Sequence, residues 1–186
     1  MALTSLNLQI SYRTGRDDLI KDFFIPCLEE SVLYRRAAGY FTSAGLALAA
    51  RGVASLASRG GKMNLVVSPY LDPNDVKALQ AAAEYPAEAL RTIVAKGISD
   101  IEDALIKDRL YALAWLAAAG LLEIKLAIRL GPRGEFGRGI FHEKTGIFTD
   151  SIGNQVAFAG SSNETAGGLV ENFESLKVFY SWRDNE

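Results

Sequence analysis

The sequence predicts an α/β layered domain, and three observations carry that expectation. Short apolar segments that alternate with polar side chains, as at residues 6–12 and 122–129, recur along the chain in the manner of strands. Between the early ones lie longer segments that open on capping residues and close on glycine, in the manner of helices. The 186 residues are 49% hydrophobic, enough for one substantial core and too few for two comfortable domains.

Residues 6–12 read as a half-buried strand. Asp17 and Asp18 open a helix running to about Val32, their charges placed where a helix N-terminus is positive. Residues 37–41 suggest a short buried strand, after which Thr42 or Ser43 caps a helix to about Ser58, ended by Gly60-Gly61. Residues 63–68 form the next apolar strand, and Asp72-Pro73-Asn74-Asp75 supplies a turn and a helix start. A helical region over 75–120 breaks near Pro86 and Gly97, and residues 122–129 alternate again. A Gly/Arg loop then covers 131–139, with strands at 140–149 and 155–159, a turn or short helix after Asn163, and a last strand over 174–182. No repeat, low-complexity tract or linker interrupts this order, so residues 1–186 read as one domain. The halt at Arg183-Asp184-Asn185-Glu186, straight after a strand, suits the N-terminal domain of something longer.

Composition excludes several classes. Cys27 stands alone, so there is no disulfide framework and no cysteine metal site; no metal or cofactor is expected. The first residues lack the basic start and apolar run of a secretory signal, and the apolar stretch 110–122 is too short to span a bilayer. A cytoplasmic location without membrane contact is the expectation. The glycines of 131–139 match no nucleotide-binding fingerprint. Glu123-Ile124-Lys125 could mimic the acid-x-lysine of a metal-dependent nuclease, with Asp108 as its partner acid, but strand alternation explains it as a solvent face.

The single histidine, His142, stands two residues before Lys144, so on a strand imidazole and ammonium project to the same side. Gly160-Ser161-Ser162-Asn163 follows an apolar strand, again with two polar side chains two apart, and Glu174 opens the last strand. An imidazole can attack a phosphodiester when lysine, amide and hydroxyl donors hold the non-bridging oxygens. A carboxylate behind the imidazole can fix its tautomer. Arg129, Arg133 and Arg138 bracket the glycine-rich loop and could hold backbone phosphates. A net charge of −2 weighs modestly against nucleic acid and requires the basic residues to be concentrated in one groove.

His142-x-Lys144 followed by Gly160-Ser161-x-Asn163 resembles the HxK…GSxN signature of the phospholipase D superfamily, and Gly39-Tyr40-Phe41-Thr42-Ser43 resembles the opening strand-to-helix segment of its fold. Residues 142–148 and 159–165 are similar to single-motif nuclease domains associated with helicases of bacterial restriction and defence systems. The resemblance implies a mixed β-sheet flanked by helices and metal-independent cleavage of DNA through a phosphohistidine. It implies His142, Lys144, Ser161, Asn163 and Glu174 as catalytic residues, and Arg129, Arg133, Arg138 and Ser162 against the substrate. Such sites pair two HxK motifs; one histidine per chain therefore implies a homodimer. A helicase or ATPase domain or subunit is the further partner implied. RNA or phospholipid as substrate, or a DNA-binding dimerisation module that needs a helicase to cut, are the alternatives. One departure stands out: the pattern's usual Asp, five residues after the lysine, is Thr149 here, with an acid only at Asp150.

Overall fold

The computed structural model describes residues 2–95, 100–135, 137, 141–163, 165 and 172–183. Seven strands form one mixed sheet: β1 (Ser11–Arg13), β2 (Leu33–Ala38), β3 (Lys62–Val67), β4 (Leu122–Leu126), β5 (Lys144–Thr149), β6 (Gln155–Gly160) and β7 (Ser175–Tyr180), in the spatial order β1-β7-β6-β5-β2-β3-β4. β2, β3 and β4 run parallel, joined by helical crossovers; β5, β6 and β7 are antiparallel neighbours, and β5 pairs antiparallel with β2. The expected α/β layered fold is thus observed.

Register explains which face is the core. Tyr34, Phe148, Val156 and Tyr180 sit side by side across four strands and are all buried. They join one cluster with helix residues from α1 (Ile25–Glu30), α2 (Ser43–Leu48), α3 (Ala50–Ser58), α6 (Ile101–Lys107) and α7 (Arg109–Ala118). The opposite face, including Arg35, Ala37, Thr145, Ala157 and Lys177, stays half-buried or exposed. Two parallel crossovers stepping the same way across a sheet place their helices on one side. Phe23, Phe24, Phe148 and Phe158 meet edge-on or stacked with centroids 5.3 to 6.2 Å apart, and Phe158 fits because Gly146, opposite it, has no side chain to meet its ring.

The differences from expectation have local causes. The first strand shrinks to Ser11–Arg13, since Leu3–Ser5 is a 3₁₀ turn whose Leu3 is buried beneath the sheet's far end. The next helix begins later, at a π turn over Ile20–Phe24; the Asp18 side chain accepts from the N–H groups of Ile20 and Lys21 and caps it. The strand expected at 37–41 runs four residues earlier, Leu33–Ala38, because Arg35 and Arg36 interrupt its apolar pattern and hide it from a hydrophobicity reading. The helix capped by Thr42 breaks at Ala49 into α2 and α3. The region 75–120 resolves into α4 (Pro73–Glu84), α5 (Pro86–Ala95), α6 and α7, with proline opening two of them. Among the described residues no helix is long and apolar enough to cross a membrane.

Asp150 ends β5 at the edge remote from Lys144, on the order of 20 Å along the strand. It is buried and accepts hydrogen bonds from the N–H of Leu3, Ile152 and Asn154 and from the Asn154 amide, at 2.9 to 3.1 Å. Burial alone would raise its pKa; these donors overcome that and hold it below the ordinary value. Asp150 therefore ties the β5–β6 turn to the N-terminus. Asp150→Ala should cost about 2–3 kcal/mol, because several buried donors lose one acceptor together. The folded-state pKa is the lower one, so this stabilisation is present above the ordinary carboxylate pKa and lost as pH falls through the depressed value. Thermal unfolding of the variant against pH checks this: its deficit should be full at neutral pH and shrink in acid.

Candidate active site

At one edge of the sheet β2 and β6 leave while β5 and β7 enter. Ala38 pairs with Lys144, Thr145 with Ala159, and Gly160 with Leu176. The residues just beyond these pairs, His142, Ser161, Asn163 and Glu174, are thereby carried to the same edge, with Lys144 as the first residue of β5. Five residues from the last third of the sequence are brought to one end of the sheet because antiparallel neighbours exchange chain ends.

Gly39, the first residue after β2, forms the floor. A methyl group built on it would lie 3.2 Å from Asn163 Oδ1, 3.2 Å from the His142 ring carbon Cδ2 and 3.3 Å from the Phe141 carbonyl. The imidazole and the Asn163 amide therefore flank one small space above the end of β2, which only glycine leaves open. Asn163 Oδ1 accepts from the Tyr40 N–H at 3.2 Å; a backbone N–H can only donate, so the amide's NH₂ is left to point elsewhere as a donor. The Ser161 hydroxyl accepts from the Ser175 N–H at 3.1 Å and keeps its own proton to donate. His142 is exposed, as an attacking group must be.

Lys144 is half-buried, and its ammonium donates to the His142 carbonyl at 3.3 Å. Desolvation lowers its pKa most; the positive charge of Arg36 lowers it further, while Glu174 and Glu143 oppose the shift. The negative charge of the buried Glu174 thus acts on Lys144. Among the described residues no hydrogen bond joins Glu174 to His142, the partner that the motif resemblance assigned to it. The Glu174 backbone is pinned by Thr14: the Glu174 N–H donates to Thr14 Oγ1 at 2.7 Å, and the Thr14 N–H donates to the Glu174 carbonyl at 3.1 Å.

Other expected residues fall differently. Ser162 is fully buried, which sets it inside the turn rather than against a substrate. Its carbonyl accepts from the buried Arg36 guanidinium at 2.6 Å. Arg129 and Arg133 are exposed beyond β4, at the same edge of the sheet but three strands from β5, roughly 14 Å away at ordinary strand spacing. Arg138 lies outside the described residues. Glu123 and Lys125 are exposed and pair with each other at 3.3 Å on β4, as the solvent-face explanation requires. Gly39, Tyr40, Thr14 and Arg36 join the site without having been singled out for it. The Gly39-Tyr40 resemblance was the available signal for two of them; a charged residue inside a strand was the signal for Arg36.

No family model and no curated protein sequence matches the chain. Solved structures do. NucT from Helicobacter pylori superposes with a TM-score of 0.51 and 18% identity, over 90% of this chain and 82% of that one. Yeast tyrosyl-DNA phosphodiesterase gives 0.50 and 12%, over 90% of this chain, which spans 31% of that enzyme. Nuc from Salmonella typhimurium, a phospholipase D family member, gives 0.49 and 14%, over 91% and 82%. At such identities the likeness is one of fold: a phospholipase D-like mixed sheet with its helices. Gly39→Ala should disturb the site while leaving the core intact. His142 is the only histidine, so its imidazole NMR resonances are unambiguous; they should move in the variant while the aromatic core signals stay. An unmoved imidazole would contradict the shared floor.

Proposed function

We propose that this chain is a phosphodiesterase that hydrolyses DNA without a metal, through a phosphohistidine on His142, at a site completed by a second copy of itself. The observation that carries this is the shared floor at Gly39, where an exposed imidazole and an amide donor flank one space beside a lysine. The fold shared with NucT and with a tyrosyl-DNA phosphodiesterase supports it.

In this reading an imidazole nitrogen of His142 attacks phosphorus, and the P–O bond to one sugar oxygen breaks. The histidine of the partner subunit protonates that leaving oxygen, then deprotonates the water that cleaves the P–N bond. Lys144, Ser161 and the Asn163 amide stabilise the charge on the non-bridging oxygens. Glu174 offsets the charge of Lys144, so the site is not so cationic that the ammonium loses its proton. Arg129, Arg133 and Arg138 hold the DNA backbone away from the scissile bond. A role in restriction or phage defence, with a helicase or ATPase partner and a cytoplasmic location, completes the proposal and rests on motif resemblance.

Purified protein incubated with DNA in excess EDTA should cleave it at an undiminished rate, His142→Ala should reduce cleavage to background, and the protein should sediment as a dimer at micromolar concentration. Loss of activity in chelator would refute metal independence. Activity in His142→Ala would refute the nucleophile, and a strictly monomeric active species the shared site.

A further inference from the structure

Among the described residues Arg36 is the one buried arginine, 2% exposed, on the interior strand β2. Burying a guanidinium is costly unless it is paired and bonded, so its contacts indicate what the cost secures. One Nη donates to the Ser162 carbonyl at 2.6 Å, across 126 residues of sequence. The guanidinium carbon lies 4.8 Å from the centre of the Phe158 ring, a cation–π distance. Phe158 is itself seated in the space opposite Gly146, which pairs with Arg36 in the sheet. Strand β2, the aromatic ring of β6 and the turn after β6 are thus locked through one side chain. Asn163, the next residue in that turn, reaches back to the Tyr40 N–H just beyond the same strand.

We propose that Arg36 is a positioning residue: it anchors the Ser162 carbonyl and so sets the Asn163 amide and the His142 ring at their places above Gly39. Being buried, it does not touch the substrate. Its charge has a second consequence at Lys144, whose charged surroundings are Arg36 on β2, Glu174 at the start of β7 and Glu143 beside it in the chain. Arg36 is the cation of that set and disfavours the protonated ammonium. Neither contact follows from the HxK…GSxN pattern. The inference rests on the phosphodiester reading for its kinetic part and is independent of it for its structural part.

The test uses the full chain with Arg36→Met, which keeps apolar bulk, Arg36→Lys, which keeps charge, and Arg36→Gln, which keeps an N–H donor. Without substrate, the His142 imidazole and Asn163 amide resonances should shift in Arg36→Met and return toward the native positions in Arg36→Lys. With DNA, kcat of Arg36→Met should fall about 10²-fold, the scale of a small misplacement of catalytic groups, while KM changes little. The basic limb of its pH profile should move to higher pH, because Lys144 has lost a cationic neighbour; Arg36→Lys should restore the limb and part of kcat. If Arg36→Met does not fold, the comparison of Lys with Gln decides: both should lower kcat, with only Gln moving the limb. Native resonances, kcat and pH limb in every folded variant would overturn the proposal. Shifted resonances in a chain that cleaves no DNA would leave Arg36 in its place and overturn the phosphodiesterase reading instead.

Discussion

The antiparallel pairing of β5 with both of its neighbours is the constraint on which the rest depends. Because β2 and β6 leave the sheet where β5 enters it, the strand that carries Lys144 is bordered by the Gly39 floor on one side and the Ser161–Asn163 turn on the other. A parallel pairing at either seam would send one of these groups to the opposite edge, beside Asp150. Register adds the second requirement: side chains alternate faces, so Arg36, Gly146, Phe158 and Val178 share the buried face. The site is built on strand ends, which hold geometry better than free loops.

Electrostatics at this edge are a balance between unlike costs. Lys144 pays desolvation and repulsion from Arg36, and is supported by Glu174 and Glu143. The outcome is an ammonium held somewhat more weakly than in water, close to the group that would attack phosphorus. Such a group gains more from an incoming phosphate than a fully solvated lysine does, since the anion replaces solvation already lost. Cys27, whose thiol burial pushes well up, takes no part; it is a core residue on α1.

Much of this was legible in the sequence, and the exceptions are instructive. The spacing of two in His142-x-Lys144 and Ser161-x-Asn163 suggests strand geometry, but β5 begins only at Lys144 and β6 ends at Gly160. His142, Ser161 and Asn163 therefore lie just outside the strands and are placed by the strand ends rather than by alternation along them. The start of strand β2 is hidden in the sequence because Arg36 reads as solvent-facing, whereas Phe158 and the Ser162 carbonyl make its burial tolerable through contacts 122 and 126 residues away. Asp150 read as an imperfect substitute for a motif acid; its role as a turn anchor depends on Leu3, at the other end of the chain. Ser162 read as a substrate contact because exposure within a turn is decided by packing, which no local pattern encodes. Arg129 and Arg133 read as one group with Arg138, but the distance of Arg129 and Arg133 from β5 is a property of strand order alone.

The central claim is that His142 forms a bond to phosphorus. Incubation with an oligonucleotide labelled at its phosphodiesters, quenching in alkali during turnover and mapping of the adduct by mass spectrometry tests it directly. The account predicts a phosphoramidate on His142, stable in base and labile in acid. An adduct on another residue, or turnover with no adduct at any quench time, would contradict it.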